Sequence, residues 1–268
     1  MYTPRQSLYI RGEAGDPLPT VWHAIEGKGA TYRRGQLVLV CAGPGTGKSA
    51  FVLAYALKSR VPTLYFSADS DAFTQLTRSV SILSGMSLEQ STRAVRDQDI
   101  PEAITAELDP LPIRFNYNAS PSLDTIEESL EAYTALYEDY PALVVVDNIT
   151  NVRTDSSDGD DPFSGLESLM DYLHTMARNT GSCVIGLHHV TGQYNDGDKP
   201  IPLSGIKGQI GRVPEMVQTL NRVSEGFGPD SLNVSTVKNR GGKSDPSGQD
   251  FASLQFVGDT MQITDFGQ

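Results

Sequence analysis

Apolar runs recur along the first two-thirds of the chain at Gln36–Cys41, Val61–Phe66, Pro112–Phe115, Ala142–Asp147 and Ser182–His188, and each reads as a strand. Between most of them apolar residues return at spacings of three and four, which predicts helices over Lys48–Ser59, Ala72–Ser84, Leu123–Tyr140 and Phe163–Thr180. Strands alternating with helices imply parallel strands joined by crossover helices, so the expected fold class is α/β, a doubly wound, mostly parallel sheet with flanking helices. After Val190 the pattern changes. The segment Thr191–Arg212 is rich in Gly, Pro and Asp, and Met216–Val223, Ser231–Lys238, Phe251–Val257 and Met261–Thr264 then read as a C-terminal antiparallel extension of one sheet edge.

Two polar stretches interrupt this order. Thr154–Pro162 is acidic and follows the fourth strand; its plain reading is a solvated loop, and its alternative is gating or metal holding. Thr191–Arg212 is long enough to need a reason in a compact domain, and it carries Lys199, Lys207 and Arg212. There is no internal repeat and no clear linker, and a single domain is expected.

The turn after the first strand changes the picture from fold to chemistry. Ala42-Gly-Pro-Gly-Thr-Gly-Lys48-Ser49 lies between a buried strand and a helix-like stretch that starts at Ala50. Backbone N–H groups of Gly43, Pro44-flanked Gly45, Thr46, Gly47 and the first helical residues can surround an anion at the positive end of the helix. Lys48 would reach the β- and γ-phosphates of a nucleoside triphosphate and Ser49 would ligate Mg²⁺. The pattern opens on Ala42 where the motif has Gly, and Gly43, Gly45 and Gly47 still supply the backbone freedom.

A second acidic group is needed for the Mg²⁺ shell, and Asp147 ends the apolar strand Ala142–Asp147 on the crevice side of such a sheet. The next residue is Asn148, so the base that activates water must come from elsewhere. Asp69, at the end of the strand expected next to the phosphate loop, is the candidate; Asp71 is the alternative, and helix capping suits either. His188 and His189 close the fifth strand and should point to opposite faces, so at most one of them meets the nucleotide, and a purely structural pair is the alternative. Lys238 and Arg240, two apart on a late strand, share a face and suit an anion, as an arginine finger does; positive charge protecting an edge strand is the plainer alternative.

Composition adds exclusions. No run approaches the roughly 18 apolar residues of a membrane span, and the first residues lack a signal-peptide core, so a cytoplasmic protein with no membrane partner is expected. Cys41 and Cys183 lie in apolar strand patterns and read as buried hydrophobes. The net charge of −12, from 33 acidic and 21 basic side chains, argues against a general nucleic-acid coat protein. It leaves room for a local basic site, because screening in physiological salt acts over about 8 Å.

Taken together, five motifs in order resemble the RecA-like ATPases, and most closely the DnaB-type hexameric replicative helicases, over roughly residues 18–265. Phe66-Ser-Ala-Asp69-Ser70 is similar to the family's Phe-Ser-Leu-Glu-Met-Ser, whose Glu is the catalytic base, with Asp69 one methylene shorter. Asp147 matches the Walker B aspartate, and His189 falls where the family senses the γ-phosphate. Ile201–Gln209 looks like the loop lining the DNA channel, with Lys207 at a basic position. Lys238 and Arg240 resemble the pair that acts in trans on a neighbour's nucleotide.

The resemblance implies ATP and Mg²⁺ as cofactors. It also implies a homo-oligomeric ring, a hexamer, on single-stranded DNA, and a replication loader or primase as partner class. Residues 31–268 would form the ATPase domain, and residues 1–30 an N-terminal arm packing on a neighbouring subunit, too short for the helical domain or primase of larger members. DNA contact would fall on Lys199, Lys207 and Arg212, since Thr154–Pro162, in the place of a first DNA loop, is acidic. The leading expectation is an ATP-driven helicase of DNA replication. A recombinase or loader ATPase would bind DNA without unwinding it, and an ATP-switched protein scaffold would ignore DNA altogether.

Overall fold

A computed structural model describes residues 1–154, 164–224, 226 and 228–267 of the chain, and its strands join in one nine-stranded sheet. They are β1 (Leu37–Ala42), β2 (Thr63–Ser67), β3 (Ile113–Asn116), β4 (Leu143–Asp147), β5 (Cys183–His189), β6 (Met216–Val223), β7 (Asp230–Asn239), β8 (Phe251–Val257) and β9 (Gln262–Asp265). The helices are α1 (Pro4–Ile10), α2 (His23–Gly27), α3 (Lys48–Ser59), α4 (Ala72–Ser84), α5 (Leu88–Arg96), α6 (Glu102–Leu108), α7 (Leu123–Tyr137) and α8 (Ser164–Thr180). The spatial order of strands is β3-β2-β4-β5-β1-β6-β7-β8-β9. The acidic stretch read from Thr154 to Pro162 lies, beyond Thr154, outside the described residues.

Side chains of β1 alternate between two cores, as period-two geometry requires. Val38, Val40 and Ala42 pack with Phe51, Val52 and Tyr55 of α3, whereas Leu37, Leu39 and Cys41 pack with Ile126 and Leu130 of α7 and Leu169, Met170 and Leu173 of α8. Helices therefore cover both faces, and the doubly wound α/β expectation holds. Cys41 and Cys183 are buried free thiols, and burial pushes both up to about 12.

Two placements differ from expectation. The pattern puts Met216–Val223 among the antiparallel strands, but β6 runs parallel to β1, from Val38 opposite Met216 to Ala42 opposite Leu220; only β7, β8 and β9 are antiparallel. The connection Thr191–Arg212 is thus a crossover built from short 3-10 turns in place of an α-helix, and it buries Ile201, Ile206 and Ile210 against the sheet. The strand leading to Asp69 is expected beside the phosphate-loop strand, but β4 and β5 stand between β2 and β1.

Residues ahead of β1 join the packed core. Leu18, Trp22, Ile25 and Ala30 are buried, Trp22 stacks on Phe51 with ring centroids 4.7 Å apart, and its indole N–H donates to the Ile263 carbonyl. By contrast α1 buries no residue and exposes Leu8, Tyr9 and Ile10.

Candidate functional site

The six parallel strands end on one edge, and β1 delivers its phosphate loop there. Gly45 and Gly47 take φ of 73° and 111°, conformations that disfavour a side chain, and Gly47 leads directly into α3. A Cβ on Gly43 would lie 2.4 Å from the carbonyl oxygen of Asn195, and one on Gly197 would lie 2.3 Å from Thr46 Oγ1. Residues Tyr194–Gly197 therefore press on the phosphate loop from the crossover, a contact that local sequence does not announce. Pro44 and Gly45 remain exposed, whereas Thr46, Lys48 and Ala50 are buried and Ser49 is half-buried.

Lys48, with 8% of its surface exposed, is a buried cation. Burial lowers its pKa, and Asp147, Cys41 and Asp69 oppose that shift. Ser49 Oγ donates to Asp147 Oδ1 at 3.1 Å, and Tyr65 OH donates to Asp147 Oδ2 at 3.1 Å. Burial raises the Asp147 pKa, while the Ser49 hydrogen bond and Lys48 pull it back. A desolvated carboxylate beside a hydroxyl and an ammonium is a fitting half-shell for a divalent cation whose other ligands are phosphate oxygens and water. Among the described residues no three His, Cys, Asp or Glu side chains cluster as metal ligands.

Asp69 is exposed and accepts a hydrogen bond from Asn151 Nδ2 at 2.9 Å. Asp71, the alternative, is the N-cap of α4 and accepts from the Thr74 N–H at 2.8 Å; the Thr74 hydroxyl first, and then that backbone bond, hold its carboxyl below its ordinary value. The two aspartates thus separate into a cap and a carboxylate near Lys48. His189 meets Asn148 Nδ2 through its Nε2 at 2.6 Å, and burial and then Lys48 lower its pKa. His188 points to the other face, as strand alternation predicts, and donates Nε2–H to the Lys207 carbonyl at 2.8 Å.

Lys48, Ser49, Asp69, Asp147 and His189 therefore converge. Lys238 and Arg240 do not join them. Lys238 lies opposite Val217 and Asn239 opposite Met216, at the start of β6, while the phosphate loop leaves the end of β1. Four strand residues separate these levels, about 13 Å at the usual rise. At that far edge Lys238 Nζ donates to the carbonyls of Gly211 and Arg212 at 2.8 and 2.6 Å, and Arg240 donates to the Arg212 carbonyl at 3.0 Å. Burial and the neighbouring Arg240 bring Lys238 down to about 8. Arg240 also stands 3.9 Å from Glu215, whose carboxylate takes His174 Nε2 at 2.8 Å and the Leu37 N–H at 2.9 Å.

Of the cations expected on the crossover, Lys207 and Arg212 are exposed on a six-residue 3-10 helix, Lys207–Arg212. Lys199 is exposed too, but its ammonium sits over the Tyr194 ring, 5.4 Å from the centroid. Sequence reasoning missed Tyr65, Asn151 and Glu215. Tyr65 precedes Ser67, the residue paired with Asp147, by two positions and so shares its face; that is legible only once β2 is known to lie beside β4.

Residues 18–262 match the DnaB-like helicase C terminal domain family. The chain is 83% identical to the Gene 65 protein of Mycobacterium phage L5 over 267 residues, covering 100% of both chains. Among solved structures it resembles a DnaB-like replicative helicase studied with its interactions with primase, at 18% identity and a TM-score of 0.82. That match covers 98% of this chain and 66% of the other, just under two thirds of its length. It also resembles a second solved structure, an ATPase domain, at 18% identity and a TM-score of 0.80, covering 98% of this chain and 95% of that one.

Proposed function

The chain belongs to the DnaB-like helicase C-terminal domain family, which makes it a P-loop ATP hydrolase of helicase type, and from that premise we propose that it drives translocation along single-stranded DNA as a homo-oligomeric ring, a hexamer, in DNA replication. Supporting this reading above all is the split between the two halves of its chemistry. Lys48, Ser49, Asp147 and Asp69 stand at the C-terminal edge of the parallel strands, and Lys238 and Arg240 stand at the opposite edge. Arg240 cannot reach its own chain's triphosphate across that sheet; a head-to-tail neighbour's can, and head-to-tail contacts make a ring where the rotation closes.

Lys48 and the backbone N–H groups of the loop would hold the β- and γ-phosphates, and Ser49 and Asp147 would hold Mg²⁺. When bound, that ion neutralises charge on the phosphate oxygens. Asp69, oriented by Asn151, accepts a hydrogen bond from the attacking water. As the water oxygen bonds to the γ-phosphorus its proton passes to Asp69, the bond to the β–γ bridging oxygen breaks, and ADP and inorganic phosphate leave. Arg240 and Lys238 of the preceding subunit stabilise the charge that develops on the transferring group. His189 reads the γ-phosphate position.

DNA contact falls on Lys207 and Arg212, with Lys199 contributing once its ammonium leaves the Tyr194 ring. Exposed Leu8, Tyr9 and Ile10 of α1 suit the N-terminal arm to packing on a neighbouring subunit. The replicative relative studied with primase makes a primase or loader the partner class to seek. No helix of the described residues is long and apolar enough to cross a membrane, which suits a protein at work in the cytoplasm.

The direct test is strand displacement on a forked duplex. The protein should release the labelled strand with ATP and Mg²⁺ and should not with ATPγS. Rapid ATP hydrolysis without any displacement, at low as well as physiological salt, would turn the assignment toward a DNA-binding recombinase or loader.

A further inference from the structure

The crossover between β5 and β6 is anchored at both ends, and the two anchors belong to the two halves of the chemistry. Its last piece, the 3-10 helix Lys207–Arg212, starts beside the C-terminal end of β5 and finishes near the start of β6. Six residues at a 3-10 rise of about 2 Å extend about 12 Å, which matches the distance between the two edges of the sheet. Ile206 and Ile210 are buried beneath it. At its start, His188 holds the Lys207 carbonyl; His188 is adjacent to His189, which stands among Asn148, Lys48 and Asp69. At its end, Lys238 and Arg240 hold the carbonyls of Gly211 and Arg212.

The His188 ring has a second nitrogen. A carbonyl oxygen can only accept, so Nε2 carries the proton and Nδ1 is an acceptor; Nδ1 is buried and has no hydrogen-bond partner among the described residues. A buried acceptor left unsatisfied favours any rearrangement that gives it one. Space for such a change adjoins it: a cavity of about 350 Å³ is bordered by Thr150, Val152, Leu166, Leu169, His188 and Lys207. That space lies at the His188 end of helix Lys207–Arg212, just after the bridge between Val190 and Ile206 that fixes where the segment enters.

We propose that Lys207–Arg212 is a strut that links the chain's own nucleotide site to the Lys238–Arg240 pair, and that His188 is the positioning residue through which nucleotide sets its place. When His189 moves with the γ-phosphate, the peptide it shares with His188 moves too, and the imidazole carries the Lys207 carbonyl with it. The same displacement alters the carbonyls that hold Lys238 and Arg240 and shifts the exposed Lys207 and Arg212 side chains. This rests on the nucleotide-site reading above; it adds the route by which one site would answer to its neighbour. The physical requirement is a contact that differs between two states, and the Nε2–H bond to Lys207 is the one that would have to change.

Lys207 and Arg212 are exposed, so trypsin can report on the strut without DNA. Cleavage after Lys207, mapped by mass spectrometry, should change about fivefold or more when ATPγS and Mg²⁺ are added to the wild-type protein, the range of ordinary coupling. His188→Leu, which has no donor, should lose that dependence while a fluorescent nucleotide still binds with an affinity within about twofold. His188→Gln, whose amide reaches the place of Nε2, should restore it. If His188→Leu does not fold, His188→Asn, an amide too short to reach, takes its place against His188→Gln. Cleavage that ignores nucleotide in the wild type, or that responds equally in His188→Leu or His188→Asn, overturns the proposal. So does an equal loss in His188→Gln. ATP hydrolysis by the wild type that ignores single-stranded DNA would sink the helicase reading instead, and leave the cleavage result standing.

Discussion

Replacing Asp147 by Asn should separate the cost of the site from its use. The amide has nearly the shape of the carboxylate, and the Ser49 and Tyr65 hydroxyls, which donate to it at 3.1 Å, can rotate to satisfy an amide oxygen and an amide N–H. Burial raises the folded-state pKa of Asp147 above its unfolded value. The stability linked to that shift is present below the unfolded pKa and is lost as pH rises through the folded one, so at neutral pH the ionised carboxylate weighs against folding. Without nucleotide, Asp147→Asn should therefore melt at or above the wild-type temperature.

With nucleotide the order reverses. ATPγS and Mg²⁺ at a hundred times the dissociation constant stabilise a protein by about 2.7 kcal/mol. An unfolding entropy of about 2.1 cal/mol/K per residue, applied to 268 residues, converts this to a rise of about 5 °C. A tenfold loss of Mg²⁺-nucleotide affinity costs about 1.4 kcal/mol and should halve the rise in the variant. The assay is thermal unfolding with and without Mg²⁺. A variant that melts several degrees below wild type when free, yet keeps the full Mg²⁺-dependent rise, would refute the assignment of Asp147 to the ion.

Asp69→Asn should leave nucleotide affinity nearly unchanged and slow hydrolysis about 10²- to 10⁴-fold; single-turnover rates equal to wild type would return the base to another residue. Arg240→Ala should lower turnover about 10³-fold with nucleotide still bound, and mixing it with Lys48→Ala should recover part of the activity, because each supplies the half the other lacks; no recovery in mixed assemblies would contradict action in trans. Burial lowers His188 from 6.5 to about 4. The unfolded chain therefore takes up a proton first, and stability is full above the unfolded pKa and falls as pH drops from 6.5 toward 4, by up to about 3 kcal/mol. His188→Gln should flatten that part of the denaturant-measured stability profile, and an unchanged slope would show that other groups carry it.

How much of this is legible in the chain depends on what each feature needs to be seen. The phosphate loop, α3, α4 and the opposed faces of His188 and His189 need only local order, and they stand where the pattern puts them. Strand order is not local. Nothing in Val61–Phe66 says that β4 and β5 intervene before β1, and so Tyr65 cannot be recognised from sequence as a partner of Asp147. The direction of β6 is easily misread because its crossover lacks an α-helix, although parallel connections need a dozen residues or more, and Thr191–Arg212 has them. Helices α5 and α6 escape the periodicity because their apolar stripes are thin; for α5 the better signal is the capping box of Ser87 and Gln90. Charge and spacing single out Lys238 and Arg240, but only the sheet shows that they stand on the edge away from their own phosphate loop.

The central claim is that this site burns ATP in answer to DNA. The measurement is the steady-state hydrolysis rate with and without single-stranded oligonucleotide, over a range of salt and alongside Lys48→Ala. Stimulation by DNA that weakens as salt rises, and disappears with Lys48→Ala, is the predicted result. Hydrolysis that proceeds at the same rate with and without DNA at every salt concentration would contradict the account.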